Sequence, residues 1–164
     1  MNTAQKPVLR RATVFDVFQM SRVLIRSITH LCAADHGNDP RLISLWTANK
    51  DPQSIRGWVQ SGSELWVAEL SGQIAAVGGV RQGTKVSLLY VDPGYIRRGI
   101  GRALLAWLEQ ELADQGCLQA SLEATHTARA FYLRGGWAQT GAPEEWHGMT
   151  QFPMRKSLHH AKKG

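Results

Sequence analysis

Cysteine is scarce: Cys32 and Cys117 are the only two in 164 residues. Two thiols so far apart exclude a disulfide-stapled scaffold, and both read as small buried hydrophobes. No run of about 18 apolar residues is present, so no membrane-spanning helix is expected. The opening MNTAQKPVLRR lacks the apolar heart of an export signal, which points to a cytoplasmic location. Acidic residues are outnumbered, 13 against 19 Lys and Arg, for a formal net charge of +6. That excess favours anionic partners, whether nucleic acid or a phosphorylated cofactor, with a merely solvated basic surface as the plain alternative. No internal repeat of about 20–50 residues recurs, which argues against a solenoid. The six histidines show no ligand spacing, and no metal is expected.

What is present suits one globular domain of mixed α/β character, over residues 1–158, with a flexible tail at 159–164. Val8 to Ala12 alternates as a short edge strand. Thr13 is placed as an N-cap with Asp16 in the first turn, and the apolar spacing from Val14 to Leu31 is helical. The stretch AADHGNDP breaks that helix. RLISLWTANK predicts a second, and Pro52 behind Asp51 starts a third. Glu64–Leu70 and Gln73–Val80 form a hairpin about Ser71-Gly72. Gly78-Gly79 marks a bulge or a close backbone approach. A strand over Thr84–Val91, a helix to about Gln115 capped by Gly116, a strand from Cys117 to Glu123 and a short helix ending at Gly135-Gly136 follow. A last β region starts at Trp137 and resumes near Met149.

The chain is organised around Leu88–Trp107, LLYVDPGYIRRGIGRALLAW. A strand feeds a glycine-rich, arginine-flanked helix N-terminus, where unpaired N–H groups and the helix dipole favour phosphate. A P-loop requires Gly-Lys-Ser/Thr, and Gly99 is followed by Ile100-Gly101 instead. A dinucleotide fingerprint would place its third glycine on Leu104 and wants an immediate turn after Val91. Both templates fail.

The segment VDPGYIRRGIGRALLAWLE resembles the acyl-CoA-binding motif of the GNAT acetyltransferase superfamily: Val-x-Pro, then Arg/Gln-x-x-Gly-x-Gly/Ala, then a helix. Downstream, THTARAFYLRGGW resembles the family's Ser-x-Asn-Ala-x-x-Phe-Tyr segment. Two motifs in order, with a strand between them, cover nearly the whole chain together with the helical N-terminal third. The resemblance implies a GNAT fold: a central, mostly antiparallel twisted sheet of about six to seven strands, splayed at the cofactor site and flanked by about four to five helices. It implies acetyl-CoA as co-substrate and an amine acceptor, with a small molecule favoured over a protein and a homodimer left open. Ile96 stands where the family has Arg or Gln, and Thr125 and Thr127 replace its Ser and Asn.

The resemblance also carries roles. Arg97, Arg98, Gly99, Ile100, Gly101 and Arg102 would cradle the pyrophosphate, chiefly through main-chain N–H groups. Leu89, Tyr90 and Val91 would meet the pantetheine arm where the strand opens by a bulge. Thr127, Ala130 and Phe131 would complete the cofactor site. Tyr132 falls on the tyrosine that protonates the leaving thiolate. No general base stands out; Glu123 is the first candidate by its place at a strand end, with His126, Glu64, Glu69 or a water chain as alternatives. His30, Asp35, His36, Trp66 and His126 are candidates for acceptor binding, and Trp46, Trp146 and His147 for an aromatic wall. A CoA-binding module without transfer activity is the second reading. A basic nucleic-acid-binding domain, supported by net charge alone, is the third.

Overall fold

The computed structural model describes residues 5–159. The proposed tail therefore lies outside the described residues except for His159, which is in no helix or strand. Strand β1 (Val8–Arg11) leads into a 3₁₀ turn at Val14–Asp16 and helix α1 (Val17–Leu31). Thr13 caps this start, and Asp16 returns to the Thr13 N–H at 2.8 Å, a reciprocal capping box. The break after α1 contains a single helical turn, α2 (Ala33–His36), before α3 (Pro40–Thr47) and α4 (Pro52–Gln60). Asp39 and Asp51 cap α3 and α4, each with Pro at the helix start.

Strands β2 (Glu64–Leu70) and β3 (Gln73–Arg81) form the expected hairpin. Its turn residues have φ of 52° at Ser71 and 78° at Gly72, the mirror-image geometry that matches strand twist. Next come β4 (Lys85–Val91), α5 (Ile100–Asp114), β5 (Gln119–Ala124) and α6 (His126–Arg134), then β6 (Ala138–Gln139), β7 (Glu144–Trp146) and β8 (Met149–Ser157). The sheet runs β1, β2, β3, β4, β5, β8, β6, with β7 paired to β8 off this path. These eight strands exceed the number expected from the pattern. The excess comes from β6 and β7, two and three residues long, too short to carry a period-2 signal.

Every neighbouring pair in this sheet is antiparallel except β4 and β5, which are parallel and pair only at Lys85 with Ser121. Beyond that point the two strands part. On β4 the side chains alternate: Leu89 and Val91 pack on the α5 side, Leu88 and Tyr90 on the α1 side. Helix α5 seats fully buried Leu104, Leu108 and Leu112 against the sheet. A Cβ on Gly78 would lie 2.9 Å from Leu108 Cδ1, so the glycine permits close approach of helix and sheet. Gly79 serves the opposite purpose. Its pairing with Leu88, followed by Val80 with Val86, leaves Ser87 as the extra residue of a bulge, and a Gly79 Cβ would lie 2.9 Å from Ser87 Oγ. The bulge thus falls at Ser87, two residues before the expected Leu89–Val91, which remain regularly paired to β3 on one edge. Cys32 and Cys117 are buried and unpaired with each other. No described helix is long and apolar enough to cross a membrane.

Candidate active site

Where β4 and β5 part, a cavity of about 270 Å³ opens, lined by Val86 to Val91, Leu122 and Glu123, by Gly101 of α5 and by Thr125, Thr127, Ala128, Phe131 and Tyr132 of α6. Its far wall is Ser27, Leu31 and Cys32 of α1 and its end. Gly101 is the point where helix meets strand: a Cβ there would approach Val91 Cγ2 to 3.2 Å and the Phe131 ring to 3.7 Å. Helix α5 follows directly on Gly99, left-handed at φ 78°, and has no side-chain cap. Its first N–H groups are consequently left for a ligand. Arg97 is also left-handed, at φ 63°; alternation of hand along such a loop turns successive N–H groups to one side. Arg97, Arg98 and Arg102 are exposed and unpaired with carboxylates among the described residues, and Arg98 lies over the Tyr95 ring at 5.3 Å. The turn before them is held by buried Asp92, which accepts from Gly94 N–H and Arg26 Nε, each at 2.9 Å.

Tyr132 is buried at 6% exposure, and no hydrogen bond engages its hydroxyl among the described residues. Its ring packs edge-on to Phe131 and Trp137, at 5.3 and 5.9 Å. Trp137 is itself fixed by Glu109, 3.2 Å from Nε1, and Lys156 ties Glu109 at 2.7 Å to Gly135 O at 2.8 Å. Burial, reinforced by the nearby Tyr90, pushes the Tyr132 phenol well above its ordinary value. Tyr90 is pushed up to about 12, also by burial, although its hydroxyl accepts from Trp46 Nε1 at 3.3 Å.

A second cavity, about 300 Å³, lies across the splay and shares Val86, Ser87, Tyr90, Glu123 and Thr125 with the first. Leu45, Trp46, Asn49 and Lys50 wall it on one side, and Trp146 and Met149–Gln151 on the other. A third, about 600 Å³, continues from it past Lys50, Trp58, Arg81 and Trp146. Glu123 sits where the first two meet, one oxygen paired with Lys85 Nζ at 2.9 Å.

The residues expected at the site divide. Leu89, Tyr90, Val91, Gly101, Thr127, Phe131, Tyr132 and Glu123 line the first cavity. Ala130 lies exposed outside it, and Ala128, two residues earlier on α6, takes the lining position. Asp35 lines the second cavity but its carboxylate is already engaged: it accepts from His126 N–H at 2.7 Å, Thr127 N–H at 3.1 Å and Thr127 Oγ1 at 2.5 Å. It caps α6 from another element, and that uses the Thr127 hydroxyl too. His36 is 1% exposed; Nδ1 accepts from Asn38 N–H at 3.0 Å, so Nε2 carries the hydrogen donated to Ile28 O at 2.7 Å. Both ring nitrogens are thus committed to structure. His30 is exposed and lines none of these cavities. Trp66 packs on Trp107 at 5.6 Å beneath Arg11, on the α5 face rather than at the splay. His126 is exposed, its ring edge-on to Phe152 at 4.8 Å. Sequence reasoning missed Lys50, Ser87 and Trp58; only the paired glycines hinted at any of them, through the bulge.

An open, mostly antiparallel sheet parted where β4 and β5 run parallel is the architecture of this mixed α/β chain. The family description "Acetyltransferase (GNAT) domain" matches residues 23–158. The chain belongs to the GNAT acetyltransferase family, a class of acetyl-CoA-dependent N-acetyltransferases. It is 32% identical over 125 residues to the uncharacterized N-acetyltransferase YafP of Escherichia coli (strain K12), across 74% of this chain and 75% of that one. The structure is similar to that of a GCN5-related N-acetyltransferase from Rhodopseudomonas palustris, with TM-score 0.84, 23% identity and coverage of 96% and 99% of the two chains. It is also similar to PaiA N-acetyltransferase from Thermoplasma acidophilum in complex with coenzyme A, with TM-score 0.75, 17% identity and coverage of 94% and 100%.

Proposed function

We propose that residues 1–158 form one acetyltransferase domain that moves the acetyl group of acetyl-CoA directly to a primary amine, with both substrates bound at once. The observation that carries this reading is the placement of Tyr132, buried and free at its hydroxyl, in the same cavity as Gly101 of the uncapped α5 N-terminus. The site fits a pyrophosphate-bearing thioester. A Cβ at Gly101 would crowd Val91 and Phe131 of the cavity wall, the first N–H groups of α5 have no side-chain cap, and Arg97, Arg98 and Arg102 add positive charge. The neighbour bound to coenzyme A supports the same ligand here.

Acetyl-CoA supplies the acetyl thioester, whose carbonyl carbon is attacked by the amine and whose sulfur leaves. Unpaired main-chain groups on the β5-facing edge of β4, from the Ser87 bulge onward, hold the arm and polarise the carbonyl. Tyr132 holds a proton at Oη and gives it to the departing sulfur; burial keeps that proton in place at neutral pH. Glu123 faces the second cavity, where its second oxygen accepts from the amine and takes up the released proton, directly or through water. The C–N bond forms, the C–S bond breaks, and the phenolate regains its proton from solvent. The acceptor is a small molecule, which enters from the second cavity.

The test is free-thiol release from acetyl-CoA across a panel of small amines. Turnover of at least one amine is expected. Acetyl-CoA binding with no turnover of any amine would instead favour a CoA-binding module, the second reading.

A further inference from the structure

The chamber across the splay contains a buried charge that nothing in the proposed chemistry uses. Lys50 is 8% exposed and lines both cavities on that side. Its backbone is held on two sides: the Ser21 hydroxyl donates to its carbonyl at 2.6 Å, and its N–H donates to Thr47 O at 3.0 Å. The ammonium donates to Asn49 Oδ1 at 2.6 Å and, more weakly, to Trp46 O at 3.4 Å, and lies 6.0 Å from the Trp58 ring. Both partners are neutral, so two of three donors are used and the charge itself has no counter-ion among the described residues. Burial lowers the Lys50 pKa from its ordinary value, the mark of a charged form paid for only in part by its surroundings. A buried charge is ordinarily paired.

Among the described residues, none of the carboxylates that line this chamber pairs with Lys50. Glu123 is paired with Lys85, Asp35 caps α6, and Glu64 accepts from Gln115 at 3.0 Å with Arg11 at 4.0 Å. Arg81, at the outer end of the third cavity, has no carboxylate partner among the described residues. The uncompensated charge of Lys50 and the carboxylate of Glu123 thus line one and the same cavity of about 300 Å³. Trp46, Trp58 and Trp146 stand along the walls.

We infer that the acceptor is an amino acid or a close analogue, an amine that also carries a carboxylate. Its carboxylate docks on Lys50 while its amino group reaches Glu123 at the splay. The inference rests on the acetyltransferase reading and adds the substrate class. A different role for Lys50, capping the carbonyl at the C-terminal end of α3, would affect stability and leave acceptor choice alone.

The experiment compares kcat/KM for a panel of amino acids with that for their primary amides, which differ in one charge, in the wild type, Lys50→Met, Lys50→Gln and Lys50→Arg. Comparing acid-to-amide ratios between variants cancels the different basicities of the two amines. A charge-assisted hydrogen bond in a buried site predicts that the ratio falls about 10- to 100-fold in Lys50→Met and Lys50→Gln, through KM of the acid, with partial recovery in Lys50→Arg. As a check that does not need the variants to fold, N-acetyl amino acids should bind the wild type in the presence of CoA at least about 10-fold more tightly than N-acetyl amides. Ratios that stay within about twofold of wild type in both neutral variants, or equal binding of the two products, would overturn the inference while the acetyltransferase reading stands. Failure to acetylate any amine despite acetyl-CoA binding would remove that reading and this inference with it.

Discussion

The two cavities that meet where β4 and β5 part are built by different means. On the side proposed for the cofactor, three backbone features shape a wall that is otherwise mostly apolar side chains: the bulge at Ser87 opposite Gly79, the uncapped helix start at Gly99 and the close contact at Gly101. The second cavity, proposed for the acceptor, is made of side chains from α2, α3, β4, β5, the β7–β8 hairpin and the loops between them, including Asp35, Trp46, Lys50, Glu123 and Trp146. On the proposed reading, backbone N–H groups hold the pyrophosphate, so Ile96 in place of Arg or Gln should be tolerated. Besides the residues the two cavities share, Asp35 links them through α6: it lines the second cavity while its carboxylate orders the N-terminus of α6, the helix that carries Tyr132.

The sharpest break in that contrast is Gly101→Val. Overpacking against Val91 and Phe131 should weaken acetyl-CoA binding by about 10- to 100-fold, measured by calorimetric titration. Arg98→Ala, at an exposed side chain beside the same loop, should cost only about threefold, because exposed ionic contacts contribute little. A larger loss at Arg98 than at Gly101 would put the grip in the side chains.

Asp35→Ala tests the link between the cavities. Loss of a helix cap should destabilise the protein by about 1–2 kcal/mol in urea unfolding, and Asp35→Asn should recover part of it. Smaller still, and remote from both cavities, is the acid response of the β1–α1 corner. Arg10 donates to Asp16 at 2.8 and 2.9 Å and, as the leading cause, holds its carboxyl below the usual range. A depressed folded pKa stabilises above the unfolded value of about 3.9 and is lost as pH falls through the folded one. Arg10→Ala should therefore cost about 1 kcal/mol at neutral pH, and the gap to wild type should narrow as the medium is acidified below about pH 4.

The same contrast explains what could be read from the sequence. Local signals carried the cofactor side: Asp-Pro-Gly before the arginines, paired glycines in β3, and Thr125 in the family's Ser position with Phe131-Tyr132 behind it. Those features act through neighbours in the chain, so their spacing is preserved in the sequence. Asp35 was singled out, but its actual partners, His126 and Thr127, are about ninety residues away. His36 is a site candidate by its place in the break after the first helix, a loop that borders the acceptor site in the family it resembles, whereas here both ring nitrogens bond to backbone, at Ile28 and Asn38. Lys50 gave no sign at all, since its burial depends on α1, α3 and Trp58 together.

The most direct test of the account is Tyr132→Phe, which removes one oxygen from the cofactor cavity and leaves the ring packed on Phe131 and Trp137. With general-acid catalysis by that hydroxyl, kcat should fall about 100-fold or more while the acetyl-CoA Kd changes by no more than about twofold. Because burial raises the phenol pKa, wild-type kcat should also show no loss of that proton between about pH 8 and pH 10. A Tyr132→Phe enzyme with kcat within about twofold of wild type would contradict the account.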